Sequence, residues 1–144
     1  MTAAAAAVSS GWTPRRHFRL PAEDETFLDA SGLRWETIIE GSVRRVVVHD
    51  YPVPAGFTRP TVDLNVRIES GYPDTQIDMV YVYPPLVKAN GGSIGALSSD
   101  HFDGRSWQRW SRHRTAVHPW RPGLDSIDTH LGLVATWFAR EVGR

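Results

Sequence analysis

The sequence contains no cysteine. A disulfide framework, a thiolate zinc site and a cysteine nucleophile are therefore all excluded on this chain. It also lacks any apolar run near the roughly 18 to 20 residues that a membrane-spanning helix needs. Net charge is missing too: sixteen basic and sixteen acidic residues cancel. That balance argues against a bulk polyanion binder, so no nucleic-acid partner and no membrane partner are expected. Lysine is nearly absent. Against 15 arginines stands one lysine, Lys88, the one side-chain amine open to acylation. The alanine run in residues 1–13 has no basic residue before it and is too short for a secretory signal. Residues 1–19 read as a flexible tail, and the protein as cytoplasmic.

What remains is enough for one domain with its own core, residues 20–144. Residues 21–31 predict a short helix, with Pro21 at its first position, acids in its first turn and Gly32 as its stop. Four strands are expected next, over 34–40, 43–49, 61–69 and 77–83. In the third, Val62, Leu64, Val66 and Ile68 alternate with Asp63, Asn65, Arg67 and Glu69, which gives one buried and one wet face. Short connections favour an antiparallel meander. Residues 84–124 read as a long irregular segment. A final helix is expected over 125–142, capped by Asp125, with Ile127, Leu131, Val134 and Phe138 on one face. The order is that of an α+β fold.

Chemistry concentrates in residues 100–123, which hold three of the six histidines, three of the six tryptophans and five arginines. No acid lies between Gly104 and Leu124 to offset them. His101, His113 and His118 offer three imidazoles, but at no compact metal-ligand spacing, so no metal is expected. Arginine interleaved with tryptophan would suit phosphate contact and base stacking, yet the patch is short. Taken singly, Trp107, Trp110 and Trp120 fit core packing better. The remaining reading is nucleophilic catalysis. Ser111 lies between Trp110 and Arg112, with His113 two residues on, and a serine hydroxyl needs such a base or local positive charge.

Element order and residues together resemble the ubiquitin-conjugating-enzyme (UBC) superfamily, and within it the prokaryotic family E of bacterial operons that encode ubiquitin-like proteins. Gly71-Tyr72-Pro73 stands where the family has its Tyr-Pro turn, and Tyr83-Pro84-Pro85 ends the fourth strand. His101-Phe102-Asp103 falls where the family has His-Pro-Asn. Eight residues beyond Asp103, at the family's catalytic cysteine, stands Ser111, with Ser106 a poorer fit. Trp120 and Pro122 precede the last helix, as in the family. The likeness spans roughly residues 20–142.

The resemblance implies a UBC-like fold: a short N-terminal helix, a four-stranded antiparallel meander, a long irregular active-site segment and a C-terminal helix. It implies transfer of a ubiquitin-like protein, delivered by an ATP-dependent activating enzyme, with no cofactor of its own. A metallopeptidase of the same operon would reverse the reaction, and antiviral defence is the expected setting. Ser111 would carry the cargo as an oxyester, which needs more help than a thioester because a hydroxyl is far less acidic than a thiol. In the roles implied, His113 is its base, and Asp103 and His101 orient neighbours or accept the amine proton. Arg109 and Arg112 steady the oxyanion or dock the cargo. The alternative is an inactive variant that only binds a ubiquitin-like protein or the activating enzyme.

Overall fold

The structure, a computed structural model, describes residues 11–144. Its elements are α1 (Ala22–Ala30), β1 (Trp35–Glu40), β2 (Val43–Pro52), β3 (Thr61–Arg67), β4 (Val80–Tyr83), β5 (Leu97–Phe102), β6 (Arg105–Trp110) and α2 (Ile127–Val142). The six strands form one antiparallel sheet in the order β1-β2-β3-β4-β6-β5. The α+β class and the β1–β4 meander match expectation. The strand count does not: the sheet has six strands, not four. The segment expected to be irregular contains the β5–β6 hairpin, and β6 pairs with β4. Asp103 and Gly104 form its two-residue turn, both with positive φ (52° and 74°). That is the conformation an Asp-Gly hairpin turn supplies.

One face of the sheet packs against both helices. Val46, Val48, Leu64, Val66, Val80, Val82 and Trp110 meet Leu28 of α1 and Ile127, Leu131, Val134, Trp137 and Phe138 of α2 in one core. The Trp110 ring meets Phe138 edge-on, 4.9 Å between centroids. Tyr72 locks the helices together: its hydroxyl donates to Asp24 Oδ2 at 2.6 Å and accepts from the Ile127 amide at 3.1 Å. Trp120 Nε1 donates to the Pro73 carbonyl at 3.0 Å. The Tyr-Pro turn and the Trp120 segment, distant in sequence, are thus neighbours. Helix α2 begins at Ile127 after Ser126, not at Asp125. The Ser126 amide donates to Thr129 Oγ1 at 3.0 Å. Asp125 instead accepts from the Arg121 amide at 2.7 Å.

The other face carries a second core of Ile38, Val47, Tyr81, Phe102 and Trp107. It is buried because the sheet rolls up on itself. In a flat sheet four strand spacings, roughly 19 Å, would separate β1 from β6. Yet the Asp103 amide, at the tip of the β5–β6 hairpin, donates to Glu40 Oε1 of β1 at 2.8 Å. Arg45 of β2 reaches Asp100 of β5 at 2.7 Å, and Arg105 of β6 reaches Asp63 of β3 at 2.7 Å. Of the segment expected as a tail, residues 1–10 lie outside the described residues. Residues 15–18 run along the outer edge of β1, bridging Arg16 to Thr37.

Candidate active site

Ser111 follows directly on β6. Its amide donates to the Ala96 carbonyl at 3.0 Å, one residue past the last β5–β6 pair. The Arg112 amide then donates to the Trp110 carbonyl at 2.9 Å. This is a γ-turn centred on Ser111, a common way to end a strand. The serine lines a cavity of about 320 Å3 with Gly95, Ala96, Arg112, Trp137, Arg140, Glu141 and Arg144. Three arginines face one buried carboxylate there, so its field is positive. Arg112 is held in place: it donates to the Gly95 carbonyl at 3.1 Å, pairs with Glu141 at 3.4 Å and lies 4.9 Å from the Trp110 ring centre.

His113, two residues on, has a partner that the sequence did not single out. Its Nδ1–H donates to Asp78 Oδ2 at 2.8 Å. The imidazole side chain is 62% exposed while Asp78 is half-buried. A carboxylate on Nδ1 fixes the tautomer and leaves Nε2 free to take a proton, the arrangement of an oriented general base. Asp78 stands just before Met79, whose φ of 61° breaks the chain away from β4. The Met79 carbonyl is held by His130 Nε2–H at 2.8 Å, and His130 Nδ1 accepts from Arg114 Nη2 at 3.2 Å. His130 is fully buried, and burial pushes its pKa down to about 4, so it is neutral here. Asp78 lies 35 residues from His113 in a stretch that reads as plain strand. Nothing local in the sequence marks it.

The remaining expected residues fall into two groups. Arg109 stays near, on β6, its Nε donating to Ser98 Oγ at 2.8 Å. His101 and Asp103 do not. His101 pairs across the hairpin with Ser106, about 17 Å from Ser111 at the rise of an extended strand. Asp103 is at the hairpin tip, gripped by Arg15 through Nη1 at 2.8 Å and Nη2 at 2.9 Å. Arg15 also holds Glu36 of β1 through Nε at 3.0 Å. Ser111 and His113 therefore stand at one end of β6, and His101, Ser106 and Asp103 toward the other. No side-chain hydrogen bond joins Ser111 to His113 among the described residues. Lys88 is only 5% exposed, bridged through its backbone to Phe57. Among the described residues no cluster of three or more metal-ligating side chains occurs, and no helix is long and apolar enough to cross a membrane.

Compared with known proteins, the chain matches the model of one family, Prokaryotic E2 family E, over residues 20–141. No curated protein and no solved structure matches it.

Proposed function

Because the chain belongs to prokaryotic E2 family E, we propose that it accepts a ubiquitin-like protein from an activating enzyme on Ser111 and passes it to an amine. Membership of an E2 family supports a transferase of the conjugating type and partners of these two kinds. The observation that carries the serine reading is the Asp78–His113 pair at 2.8 Å, with His113 two residues along the chain from Ser111, in a chain without cysteine.

Ser111 Oγ attacks the carbonyl carbon of the cargo's thioester. The C–S bond breaks, and the thiolate of the activating enzyme leaves. The serine proton passes through one water to His113 Nε2, and from there to the leaving thiolate. Arg112 faces the negative charge that develops on the carbonyl oxygen. In the second half an amine attacks the oxyester. The C–O bond breaks, the amine proton goes to His113 Nε2, and His113 passes it to the departing Ser111 Oγ. Arg109 docks the cargo beside the site. His101, exposed on β5, and Asp103, held at the hairpin tip by Arg15, act on a partner rather than at the reacting atoms. A metallopeptidase of the same operon reverses the linkage.

The test mixes the protein with the activating enzyme, ubiquitin-like protein and ATP of its own operon and records intact mass. The expected product gains one cargo less water, is cleaved by hydroxylamine and is absent with Ser111→Ala. Asp78→Asn, which removes the charge that orients His113, should slow charging by about 10²-fold, the scale of general-base assistance. Binding of the cargo with no adduct would overturn the serine mechanism and leave a binding role.

A further inference from the structure

The basic side chains of the sequence are 15 arginines and one lysine. A guanidinium stays protonated in proteins, so none of the arginines can attack an acyl group. Lys88 alone has an amine that can. It lies in a loop that is otherwise open: Val87, Ala89, Asn90, Gly91 and Gly92 are all exposed, while Lys88 among them is 5% exposed.

Backbone pairing turns this one side chain inward. The Thr58 amide donates to the Val87 carbonyl at 2.9 Å and the Ala89 amide to the Gly56 carbonyl at 2.8 Å, on either side of the Phe57–Lys88 bridge. Strand alternation then sends Val87 and Ala89 outward and Lys88 the other way. The chain next folds back over the amine. The Gly91 amide donates to the Lys88 carbonyl at 3.0 Å, which closes a turn, and the Gly92 amide donates to Asn90 Oδ1 at 2.7 Å. Gly92 is so close to the end of the lysine that a Cβ there would lie 3.3 Å from Nζ and 3.4 Å from Cε. This lid runs on into Gly95 and Ala96, which line the cavity of Ser111. From Gly92 to Gly95 the chain can span at most about 11 Å. The lone lysine is thus close to the candidate reaction site and covered.

We propose that the lid withholds this lysine from acyl donors, so that an acyl group activated at Ser111 meets no side-chain amine on its own carrier. The shielding stands on the geometry of residues 56–58 and 87–92. Its consequence for transfer rests on the serine reading above. Self-transfer would join the lysine nitrogen to the acyl carbon as the C–O bond to Ser111 breaks, with the amine proton passing to the departing oxygen. That requires the nitrogen within about 3–3.5 Å of the carbonyl carbon. A protein's C-terminal tail cannot bring its carbonyl that close beneath a lid of backbone.

The probe is sulfosuccinimidyl acetate at pH 8, with acetylation of Lys88 followed by peptide mass. In the native protein the rate should be about 10²-fold below that in concentrated urea, the protection given by a segment that opens only locally. Arg140→Lys places an exposed amine at the Ser111 cavity, and that amine should react at close to the urea rate. Gly92→Val leaves no room beside Nζ, so lid or lysine must swing out. Well below its melting temperature, that variant should acetylate Lys88 at a rate raised toward the urea value. Equal rates in native and unfolded protein, or a native rate that Gly92→Val leaves unchanged, would overturn the shielding. The second arm adds the activating enzyme, ubiquitin-like protein and ATP. The charged protein should carry no hydroxylamine-resistant cargo on Lys88, and Arg140→Lys should gain such an adduct. Resistant cargo on Lys88, or none on charged Arg140→Lys, would overturn the consequence for transfer. Failure of every variant to form the oxyester would overturn the serine reading and that consequence with it, while the acetylation rates still decide the shielding.

Discussion

His130 is buried with both ring nitrogens engaged, Nε2–H on the Met79 carbonyl and Nδ1 on Arg114. Adding a proton to Nδ1 would remove the acceptor that Arg114 uses and place two positive charges side by side. Burial is the main reason its pKa falls from an ordinary 6.5 to about 4. Between those values the unfolded chain binds more protons than the folded one. Stability therefore falls as pH drops from 6.5 to 4, by about 3 kcal/mol in all. His49 works the other way: it lies between Asp63 at 3.3 Å and Glu36 at 2.9 Å, and its pKa is raised, first by Asp63. Its contribution is complete below pH 6.5 and is lost as pH rises through its folded pKa, so the two windows do not overlap. Urea unfolding at pH 7 and pH 4 should show the fall in the native protein and a much smaller one in His130→Gln. Glutamine can still donate to Met79 and accept from Arg114, but it cannot titrate. Equal pH dependence in the two proteins would sink this account. The same pair of contacts shows why the site was only half legible from sequence. His113 announces itself beside Ser111, whereas Asp78 and His130 reach it only through folding.

At the scale of elements, legibility followed burial pattern. β3 was readable because one face is core and the other polar. β6 was not, because Trp107 fills one core and Trp110 the other, so its sequence RSWQRW has no period of two. β5 is an edge strand whose residues are mostly outside the core, and LSSDHF is apolar only at its two ends, Leu97 and Phe102, too few to set a period. The signal that was present is Asp103-Gly104, a strong hairpin dipeptide, here embedded in a stretch that also matches a catalytic motif. Glycine decides a second junction. Gly56 has φ of +115° and meets the last turn of α2: a Cβ there would come within 2.8 Å of Val142 Cβ and Cγ1. Gly56→Ala should cost about 2 kcal/mol from backbone strain and contact together. That lowers Tm by roughly 5 °C. Adding Val142→Ala should recover the contact part but not the strain. A calorimetric Tm unchanged by Gly56→Ala would show that the loop and helix end yield freely.

The whole molecule is organised by the rolling of its sheet, and that rolling depends on arginine. Arg45, on β2, is buried with its guanidinium 4.3 Å from the Tyr81 ring centre and 4.5 Å from that of Phe102, and it ends on Asp100 at 2.7 Å. Arg15 performs a similar task at the rim, joining Glu36 of β1 to Asp103 at the hairpin tip. Burial would raise the Glu36 carboxyl, but the hydrogen bonds from Arg15 and His49 together outweigh it and hold the carboxyl down to about 2, so the Arg15–Glu36 half of this tie persists well into acid. The consequence reaches function. The hairpin is clamped at its tip, and its other end sets Ser111 against Ala96 and the cavity beneath α2. If Arg45 is the strut of this arrangement, its worth lies in the pair and not in either charge alone. Arg45→Met keeps the apolar stem between the two rings but leaves Asp100, a quarter exposed, without its cation. The expected loss is about 2 kcal/mol, below the 3–5 of a fully buried pair because Asp100 retains some water. Arg45→Met with Asp100→Leu replaces both charges by apolar groups and should regain most of that loss. The two substitutions would then be coupled by more than about 1 kcal/mol in a double-mutant cycle of urea unfolding. Additive losses would mean that the rings, and not the ion pair, hold the two ends of the sheet together.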